Sequence, residues 1–232
     1  MNKKTKVFNL DNKYIEINLI NNIKYCFYTI LTICLFKYGT ANSQIDTSYY
    51  DSGKIKAVGE AKKGIKENEW IYYFPNGEIN SIEHYKSGEL HGKLIKFHEN
   101  GNLNAEENWV NGDLEGKATY YYRSGRIEKQ GEYLNSNYDG LWEFYHKNGK
   151  LRQAGNYEKG LPDGPWKFYN EDGQIIQSGS YTEGKENGHW VFYDNKGRKT
   201  YEGNYEMGEK IGDWYYFNRF GKKKLVAKNK ID

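Results

Sequence analysis

The chain has 232 residues, of which 17% are aromatic and 28% charged, with a formal net charge of +3 and a mean hydropathy of −0.98. Such a low hydropathy suits a disordered chain, but disordered chains are poor in aromatic residues, and this content argues against that class. The 26 Gly and 3 Pro residues suit many short strands joined by glycine turns.

The first part of the chain differs in kind from the rest. Scattered lysines precede an apolar run at Tyr25–Phe36, which Gly39-Thr40-Ala41 follows. A basic flank, a short apolar stretch and a small-residue site are typical of a secretory signal peptide. We predict a signal peptide over residues 1–41, cleaved after Ala41 or Ser43, and an exported protein that is periplasmic, outer-membrane-associated or extracellular. The run is shorter than the ~20 residues of a membrane span, and an uncleaved leader acting as an anchor is the alternative.

Removal of this leader changes the chemistry of the chain. Both cysteines, Cys26 and Cys34, lie in it, so the mature chain has no disulfide and no thiolate site. Residues 42–232 keep 28 basic and 29 acidic residues, a net charge of −1. A near-neutral chain gives no electrostatic case for binding nucleic acid.

Glycines recur at a fixed step of 24 residues after a polar linker predicted at residues 42–48. One series is Gly92, Gly116, Gly140, Gly164, Gly188 and Gly212, and a second runs from Gly53 to Gly221. A fixed period of this length indicates a repeat array. We predict about eight units over residues 49–224 and a C-terminal cap or tail over residues 225–232.

The unit from Gly140 to Pro162 is predicted as two strands with a tight turn at Asn148-Gly149 and a second turn at Lys159-Gly160. Asn-Gly between two apolar runs predicts a type I′ turn, in which both residues have positive φ. A single hairpin is barely stable in water, so each unit must pack on its neighbours. The predicted fold is all-β: an elongated, solenoid-like antiparallel ribbon of tandem hairpins.

Three aromatic positions repeat with the same step. They are a first column at residues 70, 94, 118, 142, 166, 190 and 214 (mostly Trp), a second at residues 73, 97, 121, 145, 169, 193 and 217 (Tyr or Phe), and a third at residues 61, 85, 109, 133, 157, 181 and 205. Because strand side chains alternate between faces, a two-residue turn places Trp142 opposite Gly155, with its ring over that glycine. Trp142 then shares a face with Leu151, and Tyr145 points to the other face.

The pattern G-x-W-x-F-Y-x-x-N-G-x-L-x-x-x-G-x-Y-x-x-G at Gly140–Gly160 resembles the MORN (membrane occupation and recognition nexus) repeat, in the bacterial variant found in the YwqK-like antitoxin family. The resemblance covers roughly residues 49–221, and the units around Leu94 and Ala118 are degenerate. It implies a hairpin scaffold and an antitoxin or immunity role. A secreted protein would neutralise only a toxin met outside the cytoplasm.

The sequence predicts no catalytic residue, no metal ligand and no cofactor. His84, His91 and His98 are seven residues apart, a spacing that puts strand neighbours on opposite faces, and we expect solvated side chains. The acidic pairs Glu106-Glu107 and Glu171-Asp172 are expected on turns and solvent faces. We therefore predict a non-enzymatic protein.

The second aromatic column is the predicted binding surface, because tyrosine combines a large contact area with a polar tip. The candidate partner-binding residues are Tyr121, Tyr145, Tyr169 and Tyr193. We predict a protein partner, with a toxin among the candidates. A membrane surface or a cell-wall polysaccharide is the alternative ligand, and a purely structural ladder is the alternative role.

Overall fold

A computed structural model describes residues 43–229, with side chains up to residue 226, and the predicted signal peptide lies outside these residues. The chain divides into a first unit, Met1–Gln44, and a second, Ile45–Asp232, and the description below is of the second. The strands are β1 (Gln44–Tyr49), β2 (Ile55–Lys62), β3 (Ile65–Tyr73), β4 (Ile79–Lys86), β5 (Glu89–Leu90), β6 (Gly92–Phe97), β7 (Leu103–Val110), β8 (Asp113–Leu114), β9 (Gly116–Tyr121), β10 (Ile127–Leu134), β11 (Asn137–Tyr145), β12 (Leu151–Glu158), β13 (Leu161–Tyr169), β14 (Ile175–Thr182), β15 (Lys185–Tyr193), β16 (Lys199–Glu206), β17 (Glu209–Phe217) and β18 (Lys223–Asn229).

These strands form one open, antiparallel sheet in which neighbours in sequence are neighbours in space. Two positions depart from this meander. There β4 pairs with both β5 and β6, and β7 pairs with both β8 and β9. The predicted all-β fold of tandem hairpins is confirmed. Within residues 43–229 no helix has the length and apolar character of a membrane span.

Both ends of the array differ from the prediction. Residues 44–48, expected as linker, belong to β1 (Gln44–Tyr49), which pairs with β2. At the other end β18 completes an ordinary hairpin, because Trp214 lies opposite Ala227 as Trp142 lies opposite Gly155. The chain therefore starts pairing earlier, and stops later, than the glycine spacing indicates.

The tryptophan column forms the core on one side of the sheet, here called the front face. All seven members of the first column are buried, and Trp142 and Trp190 are 0% exposed. The opposition of Trp142 and Gly155 is confirmed. The ring, however, lies over the glycine of the preceding strand: a Cβ added at Gly131 would overlap Trp142, and one added at Gly155 would overlap Trp166.

A β-bulge explains why the ring leans toward the preceding strand. Gly155 pairs with Trp166 while Asn156 pairs with Asp163, so two residues of β13 are unmatched, and Gly164 there has a φ of 76°. The shift leaves the Asn156 carbonyl to accept the indole N–H of Trp166 at 3.1 Å. A glycine two residues before Trp142, Trp166, Trp190 and Trp214, and Asn68 with a φ of 56° before Trp70, thus permit the bulge, and the bulge supplies the acceptor for the indole.

Leu151 does not share a face with Trp142, although a two-residue turn predicts that it does. A second irregularity places Leu151 opposite Tyr145, while Phe144 lies opposite Gln153. Trp142 and Phe144 pack with Tyr133 and the half-buried Tyr157 in one cluster, to which Leu151 does not belong. Tyr145 of the second column and Leu151 are therefore cross-strand partners.

The type I′ turn of this unit lies at its second turn and not at Asn148-Gly149, where the sequence predicts it. At Asn148-Gly149 only the glycine has positive φ (88°), and Gly149 donates its N–H to the His146 carbonyl, which describes a type I turn with a glycine bulge. The type I′ turn is at Lys159-Gly160, where both φ values are positive (50° and 81°). The predicted turn positions are right, and the predicted turn type at Asn148 is wrong.

Each turn is tied to the neighbouring unit. Gly160 donates its N–H to the carbonyl of Tyr138, 22 residues earlier, at 3.0 Å. At the opposite ends of the strands the His146 ring donates from Nε2 to the carbonyl of Tyr169, 23 residues later, at 2.9 Å. Similar bonds recur along the array, so the turns at both ends of the strands are hydrogen-bonded from unit to unit.

The degenerate units keep the core filled by a different pair of residues. Leu94 and Ala118 replace tryptophan, and Glu83 and Glu107 stand where the covered glycine would be. Glu107 is only 5% exposed and accepts the Trp109 indole N–H at 3.1 Å. In these units a longer side chain at the glycine position therefore accompanies a smaller side chain at the tryptophan position.

Candidate functional site

The back face, opposite the tryptophans, carries a continuous row of side chains along the array. Successive strands place Glu106 opposite Thr119, Thr119 opposite Gln130, and Gln130 opposite Glu143. The same row is apolar in the first units, where Ile71, Ile82 and Ile95 occupy it. The change from isoleucine to polar residues singles out the middle of the array.

The predicted site residues Tyr121 and Tyr145 lie beside this polar row, on the back face. Tyr121 donates its hydroxyl to Glu106 Oε2 at 2.8 Å, and Tyr145 donates to Glu143 Oε2 at 2.9 Å. Gln130 Nε2 contacts both Glu143 Oε2 (2.7 Å) and the Tyr145 hydroxyl (3.1 Å). Tyr121 is therefore oriented by a carboxylate of a neighbouring strand, and Tyr145 by a carboxylate two residues earlier on its own strand.

These contacts shift the ionisation of the groups involved. Burial, and then the hydrogen bond to Glu143, raise the pKa of Tyr145 to about 12. Burial works against ionisation of Glu106, but hydrogen bonds from Lys93 and Tyr121 outweigh it and hold the pKa of this carboxyl below its ordinary value. Near neutral pH Tyr145 keeps its proton and Glu106 is ionised.

The predicted residues Tyr169 and Tyr193 occupy the same column with different surroundings. Both are half-buried. Tyr169 lies opposite Ile175 and its carbonyl accepts from His146, whereas Tyr193 lies opposite Lys199. The structure thus places the four tyrosines in one stripe but brings only Tyr121 and Tyr145 next to carboxylates of the polar row.

A groove of about 560 Å³ opens on the back face beside the polar row. Thr119, Gln130 and Glu143 line it, and Lys117 and Glu132 are charged residues of opposite sign in its wall. The bulge at Gly140 contributes to it, because Gln130 pairs with Glu143 while Glu132 pairs with Asp139. Leu141, which pairs with Asn156 of β12 but is passed over by the register with β10, is 56% exposed there.

Glu106 and Glu107 do not form a catalytic pair. Glu106 lies on the back face, bonded to Lys93 Nζ at 2.8 Å, and Glu107 is buried on the front face. The expectation that both are solvent-facing is wrong for Glu107. A glycosidase needs its two carboxyl groups facing one another across a cleft, and neighbouring strand residues on opposite faces do not meet that requirement.

The three spaced histidines are held by backbone groups. His98 Nε2 lies 2.9 Å from the Tyr121 carbonyl, and His84 Nδ1 lies 2.7 Å from the Lys93 carbonyl. His91 Nδ1 accepts the N–H of Asn111 at 3.3 Å. Over residues 43–229 no group of three or more His, Cys, Asp or Glu side chains could hold a metal ion.

Sequence reasoning missed the polar row itself. Its members, Glu106, Thr119, Gln130 and Glu143, are separated by 13, 11 and 13 residues. These two separations alternate and add up to the period. Reading that alternating spacing, rather than the 24-residue columns alone, would have found it.

Comparison with known proteins identifies the repeat. A family model described as a MORN repeat variant matches residues 66–87, 90–111, 114–135, 138–159 and 162–183. The comparison with curated proteins returns no match.

Solved structures give only distant likenesses. The GtfA/B complex bound to UDP and GlcNAc is 14% identical, with 59% of this chain and 24% of that chain covered and a TM-score of 0.22. The Tc holotoxin pore of Photorhabdus luminescens is 12% identical, with 79% of this chain and 14% of that chain covered and a TM-score of 0.21. Scores this low support no argument, and this chain spans less than a quarter of either protein. Five tandem matches, set in a sheet whose hairpins keep the same period on both sides of them, show that the chain belongs to the MORN-repeat proteins, in the MORN repeat variant family.

Proposed function

We propose that this protein is an exported, non-enzymatic scaffold that binds another protein along its back face. The observation that supports the proposal most directly is the stripe formed by the second column and its cross-strand partners. Tyr121 lies opposite Ile127, Tyr145 opposite Leu151 and Tyr169 opposite Ile175. Each pair combines an aromatic ring that has a polar tip with an aliphatic side chain, and interfaces are enriched in such rings.

The size of the stripe fits an ordinary protein interface. Two strands per unit, at ~4.8 Å each, advance the sheet by ~10 Å, and a strand of seven residues is ~23 Å long. One unit therefore presents about 230 Å² of flat sheet. A standard interface of about 800 Å² per partner needs three to four units, which is the extent from Tyr121 to Tyr193.

The remaining parts of the proposal rest on sequence. The leader predicted at residues 1–41 supports export, and the resemblance to YwqK-like antitoxins supports a toxin as the partner. The repeat scaffold fits a non-catalytic protein. A partner bound along the stripe would be neutralised by occlusion, because a flat sheet holds a protein without acting on it chemically.

The partner is tested by site-specific photo-cross-linking in the producing cells. A photo-reactive phenylalanine analogue at Tyr169 is expected to give a discrete adduct that Tyr193→Ala weakens. Gln177→Ala is the matched control, because Gln177 lies on the front face opposite Phe168. No adduct at Tyr169, or equal loss in both variants, would refute binding along the stripe.

Export is tested separately by cell fractionation and N-terminal sequencing. The expected mature protein begins at residue 42 or 44 and is recovered outside the cytoplasm. An unprocessed cytoplasmic protein would contradict export and would leave the partner test unaffected.

A further inference from the structure

We propose that the back-face groove beside Thr119, Gln130 and Glu143 binds an uncharged oligosaccharide of β-1,4-linked hexoses. This site overlaps the protein-binding stripe at two of its tyrosines and extends beyond the stripe to the polar row. It uses the polar row and the groove, together with Tyr121 and Tyr145, and it does not need Tyr169 or Tyr193.

The first argument is the chemistry of the lining. Sugar hydroxyls each donate and accept hydrogen bonds, and the row offers a hydroxyl that does both, an amide that does both, and a carboxylate that accepts. Both described bonds to the Glu143 carboxylate fall on Oε2. The second carboxylate oxygen, Oε1, is the acceptor that the proposal assigns to a ligand hydroxyl.

The second argument is charge. Lys117 and Glu132 lie in the groove wall with opposite signs. The nearby carboxylate of Glu106 is paired with Lys93 at 2.8 Å. An anionic ligand such as a phosphate would meet Glu143, and a cationic one would meet Lys117. A neutral, hydroxyl-rich ligand avoids both repulsions.

The third argument is spacing. Tyr121 and Tyr145 are one unit apart, about 10 Å along the sheet, which is close to the length of one disaccharide in an extended β-1,4-linked chain. Their hydroxyls are bonded to Glu106 and Glu143, so the two rings are oriented before a ligand arrives. Pre-oriented groups lose little conformational entropy on binding.

The shape of the groove distinguishes a glycan from a protein occupant. Its volume of about 560 Å³ lies in the range of small-molecule sites, yet it is an open depression in the face of a sheet. A protein covering it would have to satisfy Glu143 and Gln130 or leave them buried without partners, which is costly. An open depression lets an extended chain pass through while its hydroxyls satisfy these groups.

The test is isothermal titration calorimetry of the full chain with cellohexaose and, separately, with chitohexaose. Saturable binding of at least one hexasaccharide is expected. Glu143→Ala and Tyr145→Ala are each expected to raise Kd at least tenfold, and Tyr145→Phe less than threefold because the ring is kept. Tyr193→Ala is the matched control from the same column, and its Kd is expected to stay within twofold of the unchanged chain.

Thermal unfolding by circular dichroism checks that each variant folds, and Thr119→Val, which removes a hydroxyl at nearly constant volume, replaces any variant that does not. No heat of binding with either hexasaccharide would overturn the proposal. Binding that Glu143→Ala and Tyr145→Ala leave unchanged, or that Tyr193→Ala weakens equally, would also overturn it. Because the cross-linking test uses Tyr169 and Tyr193, the failure of either proposal is separable from that of the other.

Discussion

Replacing Trp166 by Ala tests the central feature of the fold, the indole that covers a glycine and bonds to the bulge. Trp166 is 3% exposed, and its ring centroid lies 5.2 Å from that of Tyr157 and 5.8 Å from that of Tyr181. Truncating a buried tryptophan to alanine costs about 3–5 kcal/mol. The lost N–H bond to the Asn156 carbonyl adds about 1 kcal/mol.

Trp166→Phe separates the two contributions, because it keeps most of the apolar surface and removes the N–H. We expect Trp166→Phe to cost less than half as much as Trp166→Ala. Leu161→Ala is the exposed control, since Leu161 is 49% exposed, and it should change the free energy of unfolding by no more than about 0.5 kcal/mol.

The measurement is equilibrium urea unfolding of the full chain, followed by far-ultraviolet circular dichroism. Repeat arrays can lose cooperativity, so the denaturant slope of each variant is compared with that of the unchanged chain before free energies are subtracted. A loss below about 1.5 kcal/mol for Trp166→Ala, at an unchanged slope, would refute the view that each indole is an essential part of the core.

Three further predictions follow from individual contacts. Ser136 has a φ of 61° and donates its hydroxyl to Asp113. Ser136→Gly and Ser136→Ala both lose that bond, but only alanine retains the strain of positive φ, so the glycine variant should be about 1 kcal/mol more stable. Thermal unfolding measures the difference, and equal stability of the two variants would contradict this reasoning. The pKa of Tyr145, about 12, is above the value of a tyrosine in an unfolded chain. The contribution of Tyr145 to stability is therefore complete below about pH 10 and is lost as the pH rises toward 12. Ultraviolet titration should show that Glu143→Gln lowers this pKa, and an unchanged titration would count against the hydrogen bond. The pKa of Asp194 is lowered to about 2, chiefly by the side-chain hydrogen bond from Arg198. The contribution of Asp194 to stability is present above the unfolded value near 3.8 and is lost as the pH falls through about 2. A nuclear magnetic resonance titration in which Arg198→Ala leaves the pKa at about 2 would disprove that cause.

The sequence predicts the array well because the period places chemically similar residues in columns. The first column alone identifies the core, including Leu94 and Ala118, which are small but equally buried. The direction in which each indole leans could not be predicted. Trp166 pairs with Gly155 on one side and Gly179 on the other, and only the bulge at Gly164 selects the former.

Turn types were harder to predict than turn positions because the rest of the sheet constrains them. Lys159 is not a residue that favours positive φ, yet it adopts 50°. The bond from Gly160 to the Tyr138 carbonyl helps to hold that turn in place. At Asn148 the side chain instead accepts the N–H of Lys150 at 2.9 Å, a local bond that does not require positive φ at Asn148.

The candidate site was predicted in part. The column of Tyr121 and Tyr145 follows from the period, and its placement on the face opposite Trp142 follows from alternation. Glu143 lies two residues before Tyr145 on the same strand, so alternation also puts these two residues on one face, whereas Glu106 belongs to β7 and Tyr121 to β9. The contact of Tyr121 with Glu106 and that of Gln130 with Glu143 depend on the alignment of separate strands, which is not visible in a single sequence.

The hydrogen bonds from Gly160 to Tyr138, and from His146 to Tyr169, restrict the number of residues that a unit can have. Inserting or deleting a single residue within a unit would misalign the tips on both edges. Adding or removing a whole unit of 24 residues would present every tip with an equivalent carbonyl. We therefore expect such chains to lengthen or shorten by complete units. The length of the array then changes while every hydrogen bond between units is kept.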